Sequence, residues 1–267
     1  MKNSFCHLIG LCFVLFLIVC NGAVSANDRS LYQKALAHYD LLLQASVKNA
    51  KVDYNHLIKN QDTLDHYMYA VNHVNYENLQ RNEKIALLVN AYNAFTLRLI
   101  MDYWPKIRSI KEIPEFPLAR RWKDKRWMLA GKRVSLNDIK QQYLRRLQIP
   151  ITHMVLVCAT KSCPDLKSNA FRAGIINKEL KEAAQLFLSQ PKGLTWKMQK
   201  QLFGEDKPTL YVSSIFKWEE DDFLANGFSI VSFVEEYAPL EAKNFIKKYR
   251  DNLQVKYLSY DWSLNKL

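Results

Sequence analysis

The sequence predicts an α+β fold: a single mixed domain with a central buried helix packed on a small sheet, preceded by an N-terminal helical segment. Three observations predict it. Asn82 to Tyr103 has helical length and is apolar nearly all round, the pattern of a helix enclosed by its own domain. Short apolar, branched runs at Ile151–Val157, Thr209–Ile215 and Val255–Tyr260 read as strands. Helices and strands follow one another without strict βαβ alternation, which points away from a regular parallel sheet. No internal repeat is present, so a solenoid is not expected.

In chain order, residues 1 to 26 read as a secretory signal. Lys2 supplies the positive start, and Leu8 to Val19 is an apolar run too short for a typical spanning helix. Val24-Ser25-Ala26 places the cut after Ala26. Lipidation at Cys20 is a weaker alternative, since Val19 is branched where a small residue is favoured; an uncleaved anchor is the third. No later run is long and apolar enough to span a bilayer, so no membrane span is expected in the mature chain. Ser30–Lys48 and Asp62–Val71 have helical spacing and make residues 27–78 an N-terminal helical segment, with 79–267 as the α+β domain. Asn82 can cap the central helix, Glu83 suits its first turn, and Pro105 lies just past its end. Trp127–Leu129 and Lys132–Val134 flank a turn at Gly131. Ser135 and Asp138 stand at capping-box positions for the next helix. Pro164 suits the first turn of a helix, with Cys163 just before it. Asn177–Leu188, Phe228–Tyr237 and Ala242–Tyr249 read as helices, and Phe216-Lys217-Trp218 as an aromatic turn after the second strand.

The chain carries 38 basic and 26 acidic side chains, a net charge of +12. Between Leu118 and Arg146, ten lysines and arginines face two acids, Asp124 and Asp138. Arg120, Arg121 and Arg126 sit there beside Trp122 and Trp127, a cluster suited to an anionic partner. Export argues against nucleic acid, so the expected partner is an anionic envelope component or an acidic substrate. A solvated basic face is the plainer alternative. Trp218, with Tyr211, Phe216 and Trp262, is a candidate for lining a cleft for sugar or peptide, set against the ordinary role of aromatics in cores. Glu219 to Asp222 reads as a solvated turn.

Signal cleavage removes Cys6, Cys12 and Cys20 and leaves Cys158 and Cys163. Two readings stay open. In an oxidising compartment the pair can close as a disulfide, for which four intervening residues suffice. In the other reading Cys163 is a nucleophile. On a regular strand His153, Val155 and Val157 share one face and Cys158 lies on the other. Cys163, beyond a turn and at a helix start, would have its thiolate stabilised by free N–H groups and the dipole. His153 would then be the base. Glu83, Asn90 and Asn93 fall within about 80° of one another on the central helix and would orient the imidazole or an oxyanion; alternatively, the asparagines satisfy neighbouring backbone groups. Two cysteines and one histidine at this spacing match no common zinc pattern, so neither a metal nor a cofactor is expected.

Several pieces resemble the family called domain of unknown function 547. They are L-L-V-N-A-Y-N-A-F-T-L at Leu87–Leu97, V-S-L-N-D-I at Val134–Ile139, H-M-V-L-V-C-A-T-K-S-C-P-D-L at His153–Leu166, and L-Y-V-S-S-I-F-K-W-E-E-D-D-F at Leu210–Phe223. The tail L-S-Y-D-W-S-L-N at Leu258–Asn265 is similar too. The resemblance implies a secreted or envelope-associated bacterial protein and carries no agreed reaction. From residue types alone, the leading expectation is a Cys–His thiol hydrolase or transferase acting on an amide or ester, with a peptide or ester as substrate. The alternative is a non-enzymatic envelope binding module with a Cys158–Cys163 disulfide and a basic aromatic surface. A dithiol redox role is disfavoured because the pair lacks C-x-x-C spacing.

Overall fold

Helix α1 covers residues 29–46, where the computed structural model, which describes residues 29–114 and 121–267, begins. A two-residue hairpin follows, β1 (Val47–Lys48) with β2 (Lys51–Val52), turning through Asn49 and Ala50 at φ 49° and 62°. Next come α2 (Tyr54–Lys59), α3 (Gln61–Asn72) and α4 (Arg81–Met101). α4 begins one residue before the expected Asn82. Gln80 precedes it, and its backbone N–H donates to Glu83 Oε2 at 2.8 Å, so Glu83 closes the first turn as a capping-box acid. Every residue from 85 to 97 is buried, which is why α4 lacks a polar stripe.

The hairpin β3 (Trp127–Leu129) with β4 (Lys132–Val134) turns through Ala130 and Gly131 at φ 49° and 75°. Such two-residue turns need positive φ at both positions, and Gly131 supplies one without strain. The backbone N–H groups of Ala130 and Gly131 donate to the carbonyls of Val71 and Asn72 at 3.1 and 2.8 Å, tying the turn to the end of α3. α5 (Leu136–Asp138) starts on the expected Ser135–Asp138 box, each residue's backbone N–H bonding the other's side chain at 3.0 Å. It widens into a π-helical stretch, Ile139–Leu144, then tightens into a 3-10 turn, Arg145–Leu147.

The second half holds α6 (Ile176–Leu188), β5 (Leu194–Gln199), β6 (Lys207–Val212), α7 (Ser214–Trp218), α8 (Glu220–Ala225), α9 (Ile230–Tyr237), α10 (Leu240–Tyr249) and β7 (Gln254–Tyr257). The sheet order is β5-β6-β7, antiparallel then parallel. The class is α+β. The apolar side chains form two clusters. The first joins the N-terminal helices to α4, so these share one core. The second gathers the three-stranded sheet and α7 to α10. α6 belongs to both: Ile176 and Leu180 enter the first, Ala184, Phe187 and Leu188 the second. Around α4 pack the N-terminal helices, α6, and the β3–β4 hairpin, whose Trp127 stacks on Phe95 at 5.1 Å, while the three-stranded sheet belongs to the second cluster. Where α6 turns into β5, a Cβ on Gly193 would lie 2.0 Å from the Phe187 carbonyl oxygen, so only glycine fits.

Three local expectations are corrected. Phe216-Lys217-Trp218 is helical, inside α7. Pro164 starts no helix; residues 164–172 are irregular and the next helical turn begins at Ala173. Ile151–Val157 is not a strand. Pro150 opens a 3-10 helix, Pro150–Met154, and the chain then runs on without a neighbouring strand. Its apolar composition reflects burial rather than pairing. The partner is a side chain: Asn93 of α4 accepts from Val157 N–H at 3.0 Å and donates to Val155 O at 3.1 Å. Asn90 treats Phe171 likewise, accepting from its N–H at 2.9 Å and donating to its carbonyl at 2.8 Å.

Asn93→Ala removes both partners from buried backbone groups that each cost about 1–3 kcal/mol when orphaned. Urea unfolding should show a loss of about 2 kcal/mol or more, and Asn90→Ala should match it; an unchanged midpoint would contradict the assignment. Burial also raises the Tyr32, Tyr39, Tyr54, Tyr67 and Tyr92 hydroxyls above the usual 10.0. Above pH about 10 the unfolded chain releases protons that the folded chain retains, so stability is full below that pH and falls above it. Melting temperatures between pH 8 and 12 should show that decline, and a constant melting temperature across this range would contradict it.

Candidate functional site

His153 lies within the 3-10 helix that follows Pro150. Its Nε2 stands 2.7 Å from Asp222 Oδ2, a hydrogen bond to a carboxylate on the first turn of α8. Glu219, at the junction of α7 and α8, ion-pairs through Oε1 with Lys140 of the π-helical stretch. Arg145 reaches Asp222 Oδ1 at 3.5 Å and Glu219 Oε2 at 3.9 Å. Two carboxylates, two cations and an imidazole thus share one largely buried network. Charges tolerate such burial only when paired. The expected solvated turn is therefore corrected: Glu219 and Asp222 point inward while Asp221 is exposed. Their i, i+3 spacing is the sequence signal that one face of the acidic run could be buried.

Cys158 and Cys163 are joined as a disulfide. Cys163 is buried and Cys158 is the more open of the two. The backbone N–H of Cys158 donates to Cys163 Sγ at 2.8 Å. The hydroxyls of Tyr260 and Thr160 lie 3.0 and 3.2 Å from Cys158 Sγ. Between the cysteines, Ala159 adopts a left-handed φ of 58°, a conformation that costs a non-glycine residue roughly 1–2 kcal/mol. The loop repays this by receiving the C-terminal segment. Lys161 N–H donates to Ser263 O at 2.9 Å, Asp261 N–H to Ser162 Oγ at 2.8 Å, and Asn265 N–H to Ala159 O at 3.1 Å. That lacing sets Tyr260 and Trp262 beside the sulfurs.

Together these elements enclose a cavity of about 310 Å³. Its lining contains His153, both cysteines, Lys123, Lys140 and Glu219, with the rings of Tyr92, Trp122, Trp218, Tyr260 and Trp262. Ring centroids of Trp218, Tyr260 and Trp262 lie 4.6–5.4 Å apart. Burial pushes the Tyr260 hydroxyl up to about 12, partly opposed by its hydrogen bond with Thr160, so it is a neutral phenol at physiological pH.

The structure brings His153, Cys158, Cys163, Trp122 and Trp218 to one place. Strand parity does not separate Cys158 from His153, because no regular strand exists there. Cys163 is not at a helix N-terminus. Glu83, Asn90 and Asn93 do not orient the imidazole. Glu83 caps α4 and ion-pairs with Arg29, and both asparagine amides hold backbone; Asp222 takes the orienting position. Phe216 is fully buried in the second cluster, and Tyr211 hydrogen-bonds Gln199 on the sheet. In the basic cluster, Arg121 donates to the carbonyls of Lys111 and Ile113 at 2.9 and 3.0 Å. Arg126 pairs with Asp124 at 2.8 Å. Arg120 lies outside the described residues. Lys123 is exposed at the cavity and forms no ion pair among the described residues.

A larger cavity of about 640 Å³ lies between α1 and residues 170–174. Its charged groups already engage one another or the backbone: Arg29 with Glu83, Asp40 with Ala170 N–H and Arg172. Its lining is otherwise mainly apolar, with the side chains of Gln33, Asn75 and Asn78 adding polar groups. No helix among the described residues is long and apolar enough to cross a membrane.

Asp222→Ala should destabilise the protein by about 1–3 kcal/mol, chiefly because it leaves the buried His153 imidazole without its acceptor. Asp222→Asn, which keeps an acceptor for His153, should cost less. Urea denaturation of the two variants checks the order.

A family model described as "Protein of unknown function, DUF547" matches residues 76–188. No curated protein and no solved structure matches the chain. The matched residues include His153, both cysteines, Trp122 and Lys140; Trp218, Glu219, Asp222, Tyr260 and Trp262 lie beyond them.

Proposed function

We propose that the protein, whose residues 76–188 match the DUF547 family model without that match supplying a reaction, is an exported, non-enzymatic binding module whose ligand site is the aromatic cavity beside Cys158 and Cys163. The disulfide carries this reading. Each sulfur holds the other, and a thiol mechanism needs a free thiolate. What faces the cavity instead is a set of rings, a neutral phenol and a few charged groups, the chemistry of recognition. Export is supported by the same bond, since disulfides persist in oxidising compartments, and by the short apolar run Leu8–Val19. The net charge of +12 and the exposed Lys123 favour an anionic envelope component as partner, with nucleic acid not expected there.

One observation favours a second reading. His153, hydrogen-bonded to Asp222 behind it, lines the same cavity as both sulfurs. If a dithiol reductant opened the disulfide, Cys158, the more open sulfur, would be the attacking group on an amide or ester. His153 would be its base and Asp222 the orienter of the imidazole.

Alkylation of the unreduced, exported chain with iodoacetamide, followed by peptide mapping, separates the two. The binding reading expects no labelled cysteine and a peptide cross-linked between Cys158 and Cys163. A rapidly alkylated Cys158 or Cys163 in the unreduced protein would contradict it and favour the thiol enzyme.

A further inference from the structure

Another cavity, of about 530 Å³, lies where four parts of the chain meet: the β1–β2 turn, the disulfide loop, the residues after α6 and the C-terminal segment. Its lining holds four lysines, Lys51, Lys161, Lys192 and Lys266, against one acid, Asp165. That acid is already committed. Its carboxylate ion-pairs with Lys192 and accepts from Gln190 Nε2 at 2.6 Å. Lys51, Lys161 and Lys266 are exposed. Lys161 stands 4.0 Å from the half-exposed Asp261, a solvent-screened pair of little strength. Lys51 and Lys266 form no ion pair among the described residues. Lys266 lies over the Trp104 ring at 5.3 Å, which orders its ammonium without neutralising it.

Two further observations point to a ligand. β1 and β2 set Lys48 directly opposite Lys51, both exposed, and like charges so placed repel. An anion seated beside them would offset that repulsion. Asn265, which lines the cavity, is 8% exposed, and its Oδ1 accepts from the Tyr54 hydroxyl at 3.0 Å. Its Nδ2 has no hydrogen-bond partner among the described residues, yet it is not closed to solvent as Gln190 Oε1 is. The charged groups left uncommitted are thus all cations, and a largely buried amide adds an N–H donor.

This set selects an anion of more than one charge, since three ammoniums would overcompensate a single carboxylate. The ammonium is a compact point charge that serves phosphate, whereas the planar arginine fork that matches a carboxylate is absent from the lining. The volume falls within the roughly 300–1,000 Å³ of ligand sites, more room than a bare phosphate fills. Ala50, Pro164 and Pro191 offer apolar contact to the body that carries it.

We propose that this cavity binds a diphosphate or phosphomonoester carried on a larger organic molecule, its oxygens accepting from Lys51, Lys161, Lys266 and Asn265. The site is separate from the aromatic cavity and does not depend on what that cavity does.

The test titrates the unreduced protein with pyrophosphate and with citrate by calorimetry, and sediments it with phosphatidylcholine vesicles with and without phosphatidate. Pyrophosphate should bind more tightly than citrate. It should move the indole N–H resonance of Trp104, which lies under Lys266, and leave that of Trp218 in place. Lys51→Ala, Lys161→Ala and Lys266→Ala should each weaken binding, and the triple variant by at least about tenfold, the worth of one hydrogen bond to a charged group. These positions are exposed, so an unchanged melting temperature will show that the loss is not misfolding. Asn265→Asp, which keeps an acceptor for Tyr54 and puts a carboxylate in place of the donor, should abolish binding. Lys34→Ala, at an exposed lysine outside the lining, should leave it unchanged. Sedimentation with phosphatidate vesicles through the same lysines makes the source a lipid headgroup; pyrophosphate binding without it makes the source a soluble phosphate; either supports the site. No binding of pyrophosphate overturns the proposal. So does binding indifferent to the triple variant, citrate bound as tightly as pyrophosphate, or a loss in Lys34→Ala equal to that in Lys51→Ala, which would reduce the effect to net charge.

Discussion

The amide of Asn93 takes the place of a strand. It accepts from Val157 N–H and donates to Val155 O, and so gives a buried, irregular stretch of chain the two hydrogen bonds that a sheet neighbour would have provided. Such groups cannot be buried without partners. The stretch can therefore leave the 3-10 helix, run through the interior beside α4, and deliver His153 at one end and Cys158 at the other. Asn90, one turn earlier, fastens Phe171 in the same manner. The fully buried central helix is thus the scaffold of the cavity even though it contributes little more than Tyr92 to its lining.

Two further constraints complete the cavity. The network of His153, Asp222, Glu219, Lys140 and Arg145 joins the first apolar cluster to the second. Lys140 and Arg145 come from the helical run beside α4, whereas Glu219 and Asp222 come from the α7–α8 region. The disulfide loop, with Ala159 in a left-handed conformation, forms a ledge on which the C-terminal segment is laced. That lacing, together with the bonds of Ser214 to Leu258 O and of Ser109 to Trp262 O, brings Tyr260 and Trp262 to the cavity. Each wall is held by polar groups whose partners lie far away in the chain, which accounts for a cavity that is both aromatic and densely hydrogen-bonded.

Features set by local periodicity were legible in the sequence. The all-round apolar pattern of α4, the Ser135–Asp138 capping box and the turn at Gly131 each depend on residues within a few positions of one another. His153, the cysteines, Trp122 and Trp218 were each legible as candidates, in separate groups; their convergence was not. Apolar, branched residues at Ile151–Val157 reported burial, and burial alone cannot distinguish a strand from a chain bonded to an asparagine 62 positions away. Asp222 stands 69 positions from His153, and Tyr260 stands 102 from Cys158. The acids Glu219 and Asp222 looked solvated because the cations that permit their burial, Lys140 and Arg145, belong to a distant element. Charge counted along the chain gave the basic cluster its apparent role; in the fold Arg121 and Arg126 serve carbonyls and a neighbouring acid.

The claim on which the account turns is that the envelope ligand enters at the aromatic cavity beside the disulfide. The chain has six tryptophans, and their indole N–H resonances in a two-dimensional NMR spectrum give a map of contact. Addition of an anionic, phosphate-free envelope component to the unreduced protein should move the resonances of Trp122, Trp218 and Trp262 and leave Trp104, Trp127 and Trp196 in place. An unchanged spectrum, or shifts confined to Trp104, Trp127 and Trp196, would contradict it.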